Sequence, residues 1–142
     1  MSHSKILVTF KNDDDEYQIE SVWAIKEGDN YRIDNLPFLA PNIALNDIIS
    51  VEEEDGALYF DSLVEPSGHT TLQIVVFDES NVSGIVKELE RFGCSWEGSH
   101  LKTLISVDVP KDVDYAPIKK YLVENEKENI LSYKEACLSH GY

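Results

Sequence analysis

Hydrophobic and polar residues alternate along most of the first half of the chain, which is the pattern of β-strands with one buried face. The clearest case is YQIESVWAI at residues 17–25, and turns rich in Asp, Asn and Gly separate such segments. Asp55-Gly56 is a strong hairpin signal because both residue types accept positive φ. The pattern predicts five strands, at residues 5–11, 17–26, 31–34, 47–54 and 57–64. Short strands joined by tight turns indicate a small bent β-sheet or an SH3-like barrel.

The second half of the chain mixes strands with helices. Apolar residues at three- and four-residue spacing predict an amphipathic helix over residues 82–92, which Gly93 terminates. A second helix begins after Asp112 or Asp114, with Pro117 in its first turn. Four strands surround these helices, at residues 69–77, 94–101, 102–109 and 130–138. The resulting order, βαββαβ, is that of a ferredoxin-like unit.

The two patterns meet at residues 65–68, where Glu-Pro-Ser-Gly has the composition of a joint. The sequence therefore predicts an α+β protein with a small all-β subdomain at residues 1–67 and a ferredoxin-like α+β subdomain at residues 68–142. Because the whole chain has only 142 residues, we expect the two to pack as one compact unit.

Residues 31–49 read neither as one strand nor as one helix. Alternation stops at Asp34, and the chain turns through Pro37 and Pro41 before a strand resumes. A segment this apolar must pack on its neighbours to be stable. We expect a structured loop that fastens the first sheet to the second half.

The charge of the chain is strongly negative and unevenly distributed. Its 27 acidic and 12 basic residues give a net charge of −15. Residues 1–67 hold fifteen acidic and four basic side chains, a net charge of −11, whereas residues 68–142 have a net charge of −4. Such a field repels nucleic acid and anionic membranes and accelerates encounter with a basic partner. The same charge is also explained by solubility alone, since net charge bears on association and not on fold.

Cysteine usage and hydropathy predict a cytoplasmic protein. Cys94 and Cys137 lack the spacing of metal ligands, so we expect free thiols, with a disulfide between two strands as the alternative. The apolar run at residues 6–10 is too short for a signal peptide, and no run approaches the ~20 residues that span a bilayer. His69 and His100 lack the further ligands that a zinc site needs, so we expect no metal and no cofactor.

Signatures of catalysis are missing from the sequence. It contains no G-x-S-x-G, no P-loop and no G-x-G-x-x-G segment, and no basic patch with interleaved aromatic residues. We therefore predict a protein that is not an enzyme and has no catalytic residues. A hydrolase that uses His69 and Asp34 is the least favoured alternative.

Aromatic residues are concentrated in the first half of the chain. Because they occupy strand positions, we expect most of them in the core, with an anchor patch at a protein interface as the alternative. The residues concerned are Tyr17, Trp23, Tyr31, Phe38, Tyr59 and Phe60.

Four short segments, taken in order, resemble a known family. They are Val22-Trp23-Ala24, YRIDNLPF at residues 31–38, ALNDII at residues 44–49, and Gly68-His69-Thr70-Thr71. Together they resemble the bacterial family catalogued as domain of unknown function 4265, over residues 17–133. Members of this family usually have Gly where this chain has Asn46. The resemblance implies a small bacterial protein and implies no activity.

Our first hypothesis is an immunity protein that neutralises a cognate bacterial toxin, such as a nuclease, by blocking a basic surface of the toxin. Its size, its charge and the missing catalytic signatures motivate this hypothesis, because an acidic protein can occupy a basic cleft rapidly. The sequence leaves the oligomeric state open. The predicted partner-binding residues are Asp13, Asp14, Asp15, Glu16, Glu52, Glu53, Glu54, Asp55 and Tyr59.

The alternative hypothesis is a regulatory module that binds a small molecule. Ligand sites favour the junction between two units, and a crevice between the two halves would suit one. The residues predicted to line this crevice are Trp23, Asp34, Asn35 and His69.

Overall fold

The computed structural model describes residues 3–141, which form a five-stranded closed barrel followed by a four-stranded sheet with two helices. The chain is mostly β-sheet with two helices, which is compatible with the α+β class predicted from the sequence. The barrel strands are β1 (His3–Lys11), β2 (Tyr17–Glu27), β3 (Asn30–Ile33), β4 (Ile48–Glu54) and β5 (Ala57–Glu65).

Closure of the barrel depends on one parallel pairing between its first and last strands. Ile6 of β1 lies opposite Leu58 of β5, and the remaining neighbours are antiparallel. Register shifts in the β4–β5 ladder let the sheet bend enough to close. The β4–β5 turn has φ of 52° at Asp55 and 83° at Gly56, as expected for an Asp-Gly hairpin. The interior is filled by Ile6, Val8, Val22, Ala24, Ile33 and Ile49.

The second half contains β6 (Thr70–Val76), α1 (Val82–Arg91), β7 (Ser95–Gly98), β8 (Leu104–Val109), α2 (Ala116–Lys127) and β9 (Leu131–Cys137). The strand order in the sheet is β7-β8-β6-β9, and all neighbours are antiparallel. Apolar residues of one sheet face and of both helices form a second core. This core includes Leu72, Ile74, Ile85, Leu89, Val107, Ile118 and Leu122.

The ends of α1 agree with the signals in the sequence. Asp78 accepts a hydrogen bond from the backbone N–H of Ser80 and begins a single 3-10 turn that leads into the helix. Gly93 follows the helix with φ of 103°, and the N–H of Cys94 returns to the carbonyl of Leu89. That geometry is a common helix terminus and explains why glycine is needed there.

The prediction of strands at residues 94–101 and 102–109 is wrong at their junction. The first of these strands ends at Gly98 and the second begins at Leu104. The hydroxyl of Ser99 accepts a hydrogen bond from the N–H of Leu101 and bonds to nearby backbone carbonyls. These local bonds satisfy the backbone in a turn and so replace the strand pairing.

Residues 34–47, here called the seam loop, lie between the barrel and the four-stranded sheet and bond to both. On the barrel side, the carboxylate of Glu20 accepts three backbone N–H groups. Oε2 bonds Phe38 at 2.7 Å, and Oε1 bonds Leu39 at 3.0 Å and Ala40 at 2.7 Å. Charge-assisted bonds are stronger than neutral ones, so this carboxylate fixes the middle of the loop.

Polar side chains hold the seam loop on the sheet side. Thr71, Gln73 and Ser106 lie on the sheet face opposite the helices and are almost completely buried. Ser106 Oγ donates to the carbonyl of Pro37 at 2.7 Å, and Gln73 Nε2 donates to the carbonyl of Ala40 at 3.0 Å. The prediction that this segment fastens the two halves together is confirmed.

The turn at the end of the seam loop places Asn46 in a conformation that usually favours glycine. Asn46 has φ of 68°, in the left-handed region that asparagine tolerates better than most residues. Its side-chain oxygen accepts a hydrogen bond from Arg32 Nη1 at 3.0 Å. Asn46 therefore adopts a backbone conformation that glycine also favours and adds a side-chain contact.

Candidate functional site

A cavity of about 340 Å³ opens where the seam loop leaves the barrel. Three of the four residues predicted for a crevice line it, namely Trp23, Asp34 and Asn35, and His3 joins them. The strand and the loop are tied together here, because Asn35 Oδ1 accepts the N–H of Trp23 at 2.6 Å and the N–H of Asp34 donates to the carbonyl of Trp23. The ring of Trp23 is nevertheless 49% exposed.

The prediction that most of the aromatic residues are buried is therefore wrong for this ring. Tyr17 is exposed as well, whereas Tyr31 lies in the barrel core and the others are partly buried. On β2 the residues that face outward alternate with those that fill the barrel, and Trp23 and Tyr17 are on the outward side. Strand periodicity reveals the two faces but does not identify which one is covered.

Asp34 carries the charge at the mouth of this cavity. Its Oδ2 lies 2.5 Å from His3 Nε2, and its Oδ1 lies 4.0 Å from Arg32 Nη1. Arg32 makes its shorter contacts elsewhere, to Glu27 at 2.8 Å and to Asn46. About a third of the Asp34 side chain remains exposed to solvent.

Further carboxylates lie behind the cavity on the four-stranded sheet. Glu97 Oε2 accepts the N–H of Leu36 at 2.8 Å, and Asn35 also bonds to the Glu97 side chain. Burial raises the pKa of the Glu97 carboxyl, and the charges of Asp34 and Asp108 act in the same direction. These three carboxylates concentrate acidic groups on this side of the seam loop, with His3 beside Asp34 and His69 beside Asp108.

His69 does not line this cavity. Its Nδ1 lies 2.8 Å from Asp108 Oδ1, and the Asp108 side chain is almost completely buried. Burial raises the pKa of Asp108, although its hydrogen bond and charge interaction with His69 oppose that shift. The structure thus divides the predicted crevice residues into a cavity group and His69, which is hydrogen-bonded to the buried Asp108 instead.

The two residues of the hydrolase alternative, His69 and Asp34, do not form a pair in the structure. Asp34 bonds His3 while His69 bonds Asp108, so the two proposed catalytic residues have different partners. Cys94 is a free thiol whose pKa is raised to about 12 by burial and by the nearby charge of Asp108. A thiol with that pKa stays protonated at neutral pH and is a poor nucleophile. Cys137 is also free.

A larger cavity of about 550 Å³ lies between the β1–β2 turn, the seam loop and β9. Lys134 Nζ bonds Asp13 Oδ2 at 2.7 Å across its rim. Amide side chains and the apolar residues Phe10 and Leu39 make up much of the remaining lining. This volume lies within the range that is typical of ligand sites, so a polar molecule of moderate size would fit the cavity.

The predicted partner-binding residues occupy two separate turns. Asp13, Asp14, Asp15 and Glu16 follow the end of β1, whereas Glu52, Glu53, Glu54 and Asp55 form the tip of the β4–β5 hairpin, and all eight are exposed. Because Ile6 pairs in parallel with Leu58, the hairpin tip lies near the start of β1. The other turn is displaced roughly 20 Å along the strand at about 3.3 Å per residue. Tyr59 lies opposite Glu52 in the ladder, beside the hairpin group.

Within residues 3–141, no cluster of three or more His, Cys, Asp and Glu side chains has an arrangement suited to a metal ion. None of the helices in that range combines the length and the apolar character needed to cross a bilayer.

Residues 20–133 match the model of the family described as domain of unknown function (DUF4265). The chain belongs to the DUF4265 family. A crystal structure of a hypothetical protein from Neisseria gonorrhoeae has a similar fold, with a TM-score of 0.90, 33% sequence identity and coverage of 99% of each chain. No curated protein matches the chain.

The four segments that resemble the DUF4265 family come together around the seam loop. Trp23 and Asn35 are joined by a hydrogen bond, and the N–H of Ile33 donates to the carbonyl of Asp47. Thr71 donates to the carbonyl of Ile43, which immediately precedes the third segment. Sequence reasoning missed Glu20, Gln73 and the other polar residues that hold the loop. A signal was available, since Gln73 and Asp108 interrupt apolar strand sequences at positions where a polar side chain needs a buried partner.

Proposed function

We propose that this protein is not an enzyme but an acidic binding protein, an immunity protein that neutralises a cognate bacterial toxin by covering a basic surface. The observation that carries the proposal is the β4–β5 hairpin tip, where four consecutive carboxylates are exposed. No salt bridge within residues 3–141 involves any of these four side chains. Their charge is therefore available to a partner.

The second acidic turn is a weaker candidate for the contact surface. Asp15 lies 3.4 Å from Lys11 Nζ, and Asp13 bonds Lys134. These internal pairs neutralise half of the turn's charge locally. We therefore assign the primary contact to the hairpin tip, with Tyr59 beside it as an aromatic anchor and the turn at residues 13–16 as a secondary source of long-range attraction.

The charge distribution supports rapid capture of a basic toxin domain. Exposed charges act over about 8 Å at physiological salt, so a net charge of −11 on residues 1–67 orients the barrel toward a basic surface during encounter. A nuclease toxin would present such a surface, because its cleft binds phosphates. The proposal places the protein in the cytoplasm with the toxin's target and includes neither nucleic acid nor membrane as a partner.

The proposal predicts that a gene for a basic toxin domain lies immediately upstream of this one, and the test uses that domain as the binding partner. Reversing Glu52, Glu53, Glu54 and Asp55 to lysine should slow association by roughly tenfold or more at low salt. A control with the same net charge reverses four exposed acidic residues of the helical half: Glu90, Glu124, Glu126 and Glu128. Equal association rates for the two variants, or a failure of the unaltered protein to bind the toxin, would refute the proposal.

The alternative function, a small-molecule or regulatory module, is supported by the cavity of about 550 Å³ at Leu39 and Lys134. A thermal-shift screen with polar metabolites distinguishes the two functions. Stabilisation that Lys134→Ala abolishes would favour the module, whereas no stabilisation together with a tight protein partner would exclude it.

We further propose that the barrel is SH3-like and that the second half is a ferredoxin-like unit. The order β7-β8-β6-β9 with intervening helices supports the second assignment. Bonds from the seam loop to both halves support their action as one unit, with subdomains at residues 1–67 and 68–142. A single denaturation transition seen by probes in both halves would agree with this, and two transitions would contradict it.

A further inference from the structure

The exposed ring of Trp23 is held on a rigid support. Its backbone N–H and carbonyl both bond to the seam loop, and neighbouring Val22 and Ala24 are completely buried in the barrel. In the free protein, half of this large aromatic side chain stays in contact with water and gains no free energy from burial. An exposed aromatic ring on a fixed backbone is typical of an anchor at a protein interface. The cavity beside the ring is the space that such an anchor would fill together with a partner.

The chemistry around the ring favours a cation. The carboxylate of Asp34 lies at the mouth of the cavity, and Glu97 and Asp108 lie on the sheet behind it. The electron-rich face of an indole attracts cations, and the attraction adds to that of a nearby carboxylate. An entering positive charge would relieve the mutual repulsion that, with burial, raises the pKa of Glu97.

We propose that the cavity lined by His3, Trp23, Asp34 and Asn35 receives an arginine side chain of the partner protein. The planar guanidinium group can stack on the indole while it donates hydrogen bonds to Asp34 Oδ1, the oxygen that His3 does not contact, and to the second lone pair of Asn35 Oδ1, which already accepts the N–H of Trp23. A lysine ammonium cannot stack in this way. The identity of the partner rests on the proposed function, whereas the chemistry of the cavity does not.

The cavity complements the hairpin tip in the same interface. Trp23 lies opposite Lys5 in the β1–β2 ladder, and residues 4–7 of β1 lie beside the start of β5, where the hairpin ends. The two sites therefore lie toward the same end of the barrel. The hairpin supplies attraction at a distance, and the cavity supplies a short-range contact of defined geometry.

The test uses the full chain with Trp96→Phe, which leaves Trp23 as the one tryptophan. The probe is N-acetyl-arginine amide, and the readout is the NMR shift of the Trp23 indole N–H. N-acetyl-citrulline amide, an uncharged isostere, is the matched ligand control. We expect a saturable shift with arginine and none with citrulline. Asp34→Asn should weaken the apparent affinity by roughly fivefold or more because a charge-assisted bond is lost.

Asp29→Asn in the exposed β2–β3 turn is the matched protein control and should leave the affinity unchanged. Unperturbed backbone amide shifts away from the cavity establish that each variant is folded. The proposal would be overturned if arginine gave no saturable shift or if Asp34→Asn left the affinity unchanged. It would also be overturned if the citrulline amide, N-acetyl-lysine amide or a methyl glycoside gave an equal response. The arginine titration contains no toxin, so its result does not depend on the toxin-binding test of the hairpin tip.

Discussion

The side-chain amide of Gln73 donates to the backbone carbonyl of Ala40 over 3.0 Å, and a longer contact of 3.4 Å reaches the carbonyl of Pro37. One buried side chain on a central strand of the sheet thus holds the loop that covers the barrel. Gln73 is only 7% exposed, so water cannot readily replace it as a donor. The interface between the two halves is polar and specific at this point.

Gln73→Leu should destabilise the protein by about 1–3 kcal/mol, because the variant keeps the size of the side chain but leaves loop carbonyls without a donor. Urea denaturation followed by far-UV circular dichroism measures the change. Gln18→Leu, on the exposed part of β2, is the control and should alter stability little. Similar losses in the two variants would contradict the importance of the seam bonds.

Glu20→Gln should also be destabilising, by about 1.5–3 kcal/mol, although the two side chains have the same shape. Both oxygens of Glu20 accept N–H groups of the seam loop, and the amide of glutamine would turn one acceptor into a donor that faces a donor. Glu16→Gln in the exposed turn provides the comparison in the same denaturation experiment. An unchanged midpoint for Glu20→Gln would show that the loop does not need the carboxylate.

Asn46→Gly should be tolerated better than Asn46→Val. Glycine adopts a φ of 68° without strain and loses only the contact to Arg32, whereas a β-branched residue there stores about 1–3 kcal/mol of strain. Melting temperatures of the two variants, measured side by side, give the answer. The ranking fails if valine is as stable as glycine at this position.

Glu97→Gln should stabilise the protein at neutral pH. Because burial raises the folded-state pKa of Glu97 above its usual value, the protonated carboxyl favours folding. That contribution is fully present below the unfolded pKa and is lost as the pH rises through the raised one. The gain from glutamine should therefore appear near pH 7 and disappear near pH 3.5.

Urea denaturation of both proteins across this pH range tests the sign. Glu90→Gln on the exposed side of α1 is the matched control. A gain for Glu97→Gln that is equal at both pH values would point to packing rather than to ionisation.

Local signals account for the elements that the sequence predicted well. The pair Asp55-Gly56 fixes a hairpin because both residues take positive φ, and Gly93 ends α1 for the same reason. The sequence also indicated the seam loop, because Pro37 and Pro41 interrupt the alternation of polar and apolar residues within an apolar stretch. Each of these features depends on residues a few positions apart.

Pairings between distant residues account for what the sequence did not reveal. The parallel contact between Ile6 and Leu58 closes the barrel, and nothing local specifies it. His69 bonds Asp108, 39 residues away, and so does not line the cavity, although its position at the joint between the two halves predicted that it would. The sequence also did not reveal that Trp23 is exposed. Both faces of β2 carry apolar residues, and only the tertiary fold decides which face is covered.

The seam loop has a consequence for how the protein is made. Its contact from the N–H of Asn42 to the carbonyl of Ala136 joins an early segment to the last strand, and the bond between Ser106 and Pro37 spans 69 residues. Contacts this distant form slowly compared with turns and helices. A nascent chain therefore lacks the bond of Asn42 until β9 has been synthesised, although Glu20, Gln73 and Ser106 can already hold residues 37–40. A chain that stops before residue 131 leaves the end of the loop near Asn42 without this bond and so more open to proteases.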